Sequence, residues 1–102
     1  MKYLVMARTG AAPIPPEKAP DLFKAAKEWI KTRLASGKHD CHYMFTQGGV
    51  GFSIVNANSH EELMDEILDY PLYPFLHWEV NALCDSDHSY EALVKLWQKL
   101  AG

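Results

Sequence analysis

The stretch from His39 to Glu62, HDCHYMFTQGGVGFSIVNANSHEE, contains the pattern that decides the fold. Two β-rich runs, HDCHYMF at 39–45 and VGFSIVNA at 50–57, flank the residues TQGG, and a glycine turn of this kind predicts a tight hairpin. Ser59 follows, with Glu62 three residues later, which is the capping-box signature of a helix N-terminus. The stretch therefore predicts two antiparallel strands that lead directly into a helix.

The residues on either side of this stretch continue the pattern. Apolar spacing, prolines and glycines predict a strand at 2–8, a helix at 17–36, an end to the second helix at Pro71, a strand at 76–84 and a last helix from about Ser89. The second helix is predicted to turn inward Leu63, Met64, Ile67 and Leu68. This order predicts one α+β domain over residues 1–102. It is a ferredoxin-like βαββαβ fold, with a four-stranded antiparallel sheet and an added C-terminal helix.

The predicted sheet has one face that the helices leave uncovered. Neither side of the strand at 50–57 is truly polar, and a large bare apolar face marks an interface. We therefore expect two sheets to pack face to face in a homodimer. The last helix either packs on its own subunit or reaches across to the neighbour, because it carries an apolar stripe of its own: Tyr90, Leu93, Val94, Trp97 and Leu100.

Composition and charge exclude several functional classes. The chain has 102 residues, a net charge of −3 and 48% hydrophobic residues, which indicates a globular protein without a basic nucleic-acid-binding surface. The apolar run before Arg8 is too short for a signal-peptide core or a membrane span. With Cys41 and Cys84 as the only cysteines, we expect a cytoplasmic protein with free thiols and no membrane or nucleic-acid partner.

The letters HDCH that open the first hairpin strand raise the question of a metal site. Side chains alternate between the faces of a strand, so His39 and Cys41 are predicted on one face, and Asp40 and His42 on the other. Two histidines that point apart cannot hold one ion together, and no second pair of ligands is visible, so we expect no metal. Histidine is the usual acid or base near neutral pH, which makes His42 or Tyr43 a candidate for catalysis.

The run LHWEVNA at 76–82 carries a second polar group. His77, Glu79 and Asn81 share one face of this strand. A buried carboxylate beside an imidazole suits proton abstraction next to a carbonyl. The other interpretation is that His77 and Glu79 form an interface hydrogen-bond network without chemistry of its own.

The run YPLYPFLHWEVNALC at 70–84 resembles the corresponding segment of the muconolactone isomerase family. There too the second helix ends in a Pro-Leu-aromatic-Pro-aromatic bend, followed by a strand with Glu-Val and then Leu-Cys. The resemblance implies a dimeric α+β barrel that forms higher oligomers, and cofactor-free proton transfer between two carbons of a small unsaturated lactone. It extends to the fold and not to the substrate, because the family's acidic pair on helix one and basic residues on strand two are replaced here by Ala26, Lys27, Asp40, Cys41 and Met44.

The resulting hypothesis is a small enzyme of muconolactone-isomerase type, active in aromatic catabolism. It would need no cofactor and would act on a small organic substrate by proton-transfer isomerisation or cyclisation. The residues assigned to this reaction are Glu79 with His77 or His42 as acid and base, and Tyr43, Trp78 and Asn81 as substrate-binding groups. Two alternatives stay open: a cofactor-free oxygenase or cyclase on the same barrel, and a non-catalytic ligand-binding or structural dimer.

Overall fold

The computed structural model describes all residues from Met1 to Gly102. The elements are β1 Lys2–Thr9, α1 Ala19–Ser36, β2 His39–Met44, β3 Gly51–Asn56, α2 His60–Leu68, a short 3₁₀ turn Tyr73–Phe75, β4 Leu76–Leu83 and α3 Ser86–Ala101. The predicted order βαββαβ with an added helix is confirmed. The last helix begins at Ser86, earlier than predicted, because the Asp85 side chain accepts from the His88 backbone N–H and caps it.

The four strands form one antiparallel sheet in the order β2-β3-β1-β4. Tyr3, Val5 and Ala7 of β1 are buried on the side that packs against α1 and α2, which we call the helix face. Leu4 and Met6 alternate with them and lie on the opposite side, which we call the open face. The pairing register then places each residue of β2, β3 and β4 on one of these two faces.

The predicted hairpin and caps are confirmed. Gly48 and Gly49 have φ angles of 87° and 81°, which is the left-handed turn geometry that glycine allows at little cost. Ser59 accepts a hydrogen bond from the Glu62 backbone N–H at 3.1 Å, and Gly37 caps α1 in the left-handed conformation. A side chain at position 51 would collide with the Tyr43 backbone oxygen, so β2 and β3 can pair closely only with glycine at this position.

The orientation of α2 differs from the prediction. Leu63 is buried, but Met64 and Leu68, which were expected to face inward, are 61% and 45% exposed. Glu66 is buried in their place, with 8% of its surface exposed. The helix is turned toward this carboxylate because Glu66 has partners on α1 and β2, and an unpaired buried charge would be too costly.

Helix α3 packs on no other element of its own chain. Its apolar side chains are open to solvent, with Tyr90 69%, Trp97 66% and Leu100 64% exposed. The radius of gyration is 17.3 Å, whereas a compact chain of this length has a value of about 13 Å. Of the two arrangements left open for this helix, packing on its own subunit is therefore not observed. None of the helices combines the length and apolar content needed to cross a bilayer.

Candidate active site

A cavity lies between the helix face of the sheet and the helices α1 and α2. The empty space is about 390 Å³ when the open mouth is included. The part that the centre of a water-sized sphere can reach is about 40 Å³. The enclosed part is smaller than a typical site for an organic ligand, so a ligand bound here would extend into the open mouth. The lining is mostly apolar, and its polar members are His39, His42, Ser53 and Glu66.

Three side chains form a hydrogen-bonded row at this cavity, and two of them, His39 and Glu66, are part of its wall. His39 Nε2 lies 2.7 Å from Glu66 Oε2, and Arg33 Nε donates to both Glu66 oxygens at 3.2 Å. A second guanidinium nitrogen of Arg33, Nη2, donates to Asp69 at 2.8 Å. His39 is only 4% exposed. The row therefore holds the Glu66 carboxylate between a cation and an imidazole, away from water.

The environment of His39 defines which of its nitrogens carries the proton. Burial is the largest influence on the pKa of His39 and lowers it, Arg33 and Lys38 lower it further, and Glu66 raises it. The net shift is downward, so the ring is neutral at pH 7. An ionised carboxylate can only accept hydrogen bonds. Nε2 of His39 therefore carries the proton and donates a hydrogen bond to Glu66. Nδ1 is then left as an acceptor, and it is a buried nitrogen without a hydrogen-bond partner. A neutral imidazole with a free lone pair is suited to act as a general base.

A second imidazole lines the same cavity. His42 Nδ1 lies 2.8 Å from Ser53 Oγ, across the pairing between β2 and β3. The pKa of His42 is lowered, first by burial and then by the nearby His39. The cavity thus contains two imidazoles that are both neutral near pH 7.

The expectation that His39 and His42 point apart is wrong. A bulge between His39 and Cys41 breaks the alternation, so that His39 pairs with Val55 and His42 pairs with Ser53. Val55 and Ser53 are both buried on the helix face. An extra residue on one strand shifts every later side chain to the other face, and both histidines therefore line the cavity. Even so, the structure has no group of three or more His, Cys, Asp or Glu side chains that could hold a metal ion.

Aromatic side chains form much of the remaining wall. The ring of Tyr70 meets those of Trp29 and Trp78 edge to face, at centroid distances of 5.2 and 5.8 Å. The Trp29 indole donates to Asp69 at 2.8 Å, which is also a partner of Arg33. Burial raises the pKa of Tyr70, so its phenol stays protonated. These contacts make this part of the cavity wall aromatic and apolar.

Solved structures of other proteins share this architecture. Muconolactone isomerase matches it with a TM-score of 0.73 and 26% sequence identity, over 83% of this chain and 90% of that chain. The fold is that of muconolactone isomerase. A 5-chloro-2-hydroxyhydroquinone dehydrochlorinase from Burkholderia phenoliruptrix AC1100, in complex with 2,5-dihydroxybenzoquinone, matches with a TM-score of 0.64 and 15% identity, over 86% of this chain and 98% of that chain. No protein-family model and no curated protein matches the sequence.

On this muconolactone isomerase fold, the residues expected to form one site lie on both faces of the sheet. His42 and Trp78 line the cavity on the helix face. Glu79 pairs with Met6 and is exposed on the open face. On that face it is accompanied by the other candidates, which are His77, Asn81 and Tyr43. Glu79 is therefore separated from His42 by the thickness of the sheet and cannot share a substrate with it within one chain.

Sequence reasoning missed His39, Glu66 and Ser53 as members of one site. His39 was assigned to the wrong face because the bulge has no clear sequence signature. Glu66 did leave a signal: it lies three residues after Leu63 and next to Ile67, on the stripe that faces the core. An acidic residue on the apolar side of a helix indicates a buried carboxylate with a partner.

The two histidines predict how stability depends on pH. Both pKa values are lowered from 6.5 in the folded chain, so the unfolded chain takes up protons first as the pH falls. The free energy of unfolding is therefore expected to be constant above pH 7 and to decrease below 6.5, with a slope of at most about 1.4 kcal/mol per pH unit for each histidine. Urea denaturation between pH 8 and pH 5 measures this slope. A His42→Gln variant should show a smaller slope, and an unchanged slope would contradict the assignment.

Proposed function

We propose that this chain catalyses the transfer of a proton between two carbons of a small unsaturated compound of lactone type, with His39 as the base. The supporting observation is the row Arg33–Glu66–His39, which leaves Nδ1 of a neutral imidazole buried and without a hydrogen-bond partner, on a residue that lines an apolar cavity. The likeness to muconolactone isomerase, whose name describes the isomerisation of a lactone, supports the same class of reaction. The proposed reaction needs no cofactor, since each step is a proton transfer.

His39 has the first role in the proposed mechanism. Its Nδ1 removes a proton from the carbon next to the substrate carbonyl, and the electrons of that C–H bond move into a dienolate. The imidazolium that forms is stabilised by Glu66, which Arg33 holds in place. The same proton then returns to the far end of the conjugated system, so that the double bond moves and no atoms are gained or lost. General acid–base catalysis of this kind contributes about 10²- to 10⁴-fold to a rate.

His42 is assigned to the oxygen of the dienolate. When the Ser53 hydroxyl donates to Nδ1 of His42, the other ring nitrogen carries a proton that it can donate to the substrate. A donor aimed at an oxygen on which negative charge develops is a large contribution to catalysis in a dry site. Trp29, Tyr70 and Trp78 would pack against the substrate and exclude water.

Isomerisation in heavy water tests the proposal. The protein is incubated with a butenolide whose double bond lies outside conjugation with the carbonyl, and the product is followed by proton NMR. We expect the conjugated isomer to form faster than in protein-free buffer, with deuterium at the carbon that receives the proton when solvent exchange competes. Consumption of dissolved oxygen would instead support the oxygenase alternative, and the absence of both reactions would favour a non-catalytic binding protein.

We propose that the open face is covered by a second copy of this chain. Its centre is apolar, with Leu4, Met6 and Ile54 only partly exposed. The cation Arg8, which lies over the Phe45 ring, and the carboxylate Glu79 are both on this face. A two-fold contact requires a self-complementary surface, and a face that carries charges of both signs is compatible with this condition. In this arrangement Glu79 and its polar neighbours belong to the interface and not to the cavity.

An Ile54→Asp substitution is expected to convert the proposed dimer to a monomer. The change places a charge at the centre of the apolar face, where it would have to be buried without a partner. Size-exclusion chromatography with light scattering gives the mass of each species. The matched control is Lys24→Asp, which is exposed on α1 and should keep the wild-type mass. A wild-type protein that is already monomeric would contradict the proposed assembly.

A further inference from the structure

The lining of the cavity limits the charge of its ligand. Glu66 is the only residue in the lining that carries a full charge, and no lysine or arginine is among the lining residues. Arg33 contacts Glu66 but does not itself line the cavity. The two histidines are neutral near pH 7, because burial lowers the pKa of each. The space therefore contains one fixed negative charge and no positive charge to oppose a second one.

A ligand with a carboxylate would be unfavourable in this cavity. Its negative charge would lose its hydration in a space with mostly apolar walls, and no cation is available there to compensate for the loss. It would also lie next to the Glu66 carboxylate, which is already paired with Arg33 and offers a second carboxylate no hydrogen-bond donor.

A ligand with an ammonium group would gain little from Glu66. The two carboxylate oxygens already accept from Arg33, and Oε2 is also in contact with His39. The Arg33 guanidinium behind them would repel a second cation. The desolvation cost of the ammonium group would remain, because the rest of the lining offers only Ser53 and His42 as polar contacts.

We infer that the ligand of this cavity is an uncharged molecule, which carries an oxygen for His42 and has neither a carboxylate nor an ammonium group. This inference rests on the proposed function only for the location of the site. It deepens that proposal by naming the class of substrate, an unsubstituted or alkyl-substituted unsaturated lactone or a similar uncharged ring. Trp29, Tyr70 and Trp78 supply an aromatic, apolar part of the lining on which such a ring can pack.

Equilibrium binding of a matched set of probes tests the inference. The set consists of a carboxymethyl-substituted butenolide, its primary amide and the corresponding aminoethyl compound, which have similar shapes and differ in charge at pH 7.5. Binding is measured by tryptophan fluorescence in a Trp97→Phe background, which leaves Trp29 and Trp78 as the emitting residues, with perturbation of their indole NMR signals as a second readout. We expect the amide to bind at least about tenfold more tightly than either charged compound.

A charged variant provides the reverse test. His42→Lys adds a cation to the lining at a partly exposed position, and it should improve binding of the acid relative to the amide by about tenfold or more. In the wild-type protein, the inference would be overturned if the acid or the aminoethyl compound bound as tightly as the amide. It would also be overturned if the amide did not bind. Because turnover is not measured, failure of the isomerase reaction would leave the charge preference intact, and the two proposals fail separately.

Discussion

Replacing His39 by glutamine is expected to lower kcat for isomerisation of an uncharged butenolide by about 10²- to 10⁴-fold. The glutamine amide can still donate to Glu66, so that the buried carboxylate keeps a partner. It has no nitrogen lone pair that takes up a proton, and the base of the reaction is lost. Initial rates followed by proton NMR measure the effect. Fluorescence titration of the same variant should show that binding of the butenolide is largely retained.

Two further variants make this result specific. His88→Gln changes an exposed histidine on α3 and should leave the rate unchanged. Glu79→Gln changes the carboxylate on the open face. If this variant loses activity as a correctly assembled protein while His39→Gln keeps it, the active site lies on the open face and the assignment of the cavity is wrong.

Arg33→Met is expected to lower the free energy of unfolding by about 3 kcal/mol, the lower end of the cost of breaking a buried ion pair. The low end applies because the Arg33 side chain is 23% exposed, although Glu66 is only 8% exposed. Methionine retains most of the aliphatic packing against Trp29, over whose ring the guanidinium lies at 4.1 Å. The Glu66 carboxylate would then be buried with only a neutral imidazole as partner. Urea denaturation followed by circular dichroism at pH 7.5 measures the loss.

The double variant Arg33→Met, Glu66→Gln separates the charge from the packing. Glutamine has the size of glutamate and keeps a hydrogen bond to His39, but it carries no charge that needs a cation. We therefore expect the double variant to recover most of the stability lost in Arg33→Met. Equal destabilisation in the single and double variants would show that the loss comes from the contacts of Arg33 with Trp29 and Asp69 and not from the unpaired carboxylate.

Local sequence signals predicted the elements of this chain well. The glycines at 48 and 49 are at left-handed positions in the hairpin, and Ser59 caps α2 as the capping box predicts. These features depend on a few neighbouring residues, since a turn needs a particular backbone angle and a helix end needs a particular acceptor. The muconolactone isomerase-like bend at 70–84 also led to the correct fold, with a TM-score of 0.73 to the solved enzyme.

The candidate site was predicted poorly because it depends on residues that are distant in sequence. His39 and His42 share a face because of one bulge in β2, and strand alternation by itself predicts the opposite. Glu66 is an inward-facing residue because Arg33 and His39 approach it from α1 and β2. The helical pattern of α2 favoured Met64 and Leu68 instead, which are exposed. Hydrophobic periodicity cannot foresee a buried carboxylate whose partners lie on two other elements.

The sequence by itself thus determined the order of strands and helices, their turns and caps, and the existence of a sheet with one uncovered face. These follow from backbone angles, local hydrogen bonds and apolar spacing, all of which act over a few residues. Only the tertiary structure decided which polar residues meet in the cavity, and that Glu79 is not one of them. The physical reason is that a buried charge or imidazole is tolerated only where its partners converge, and this convergence is set by the packing of the whole chain.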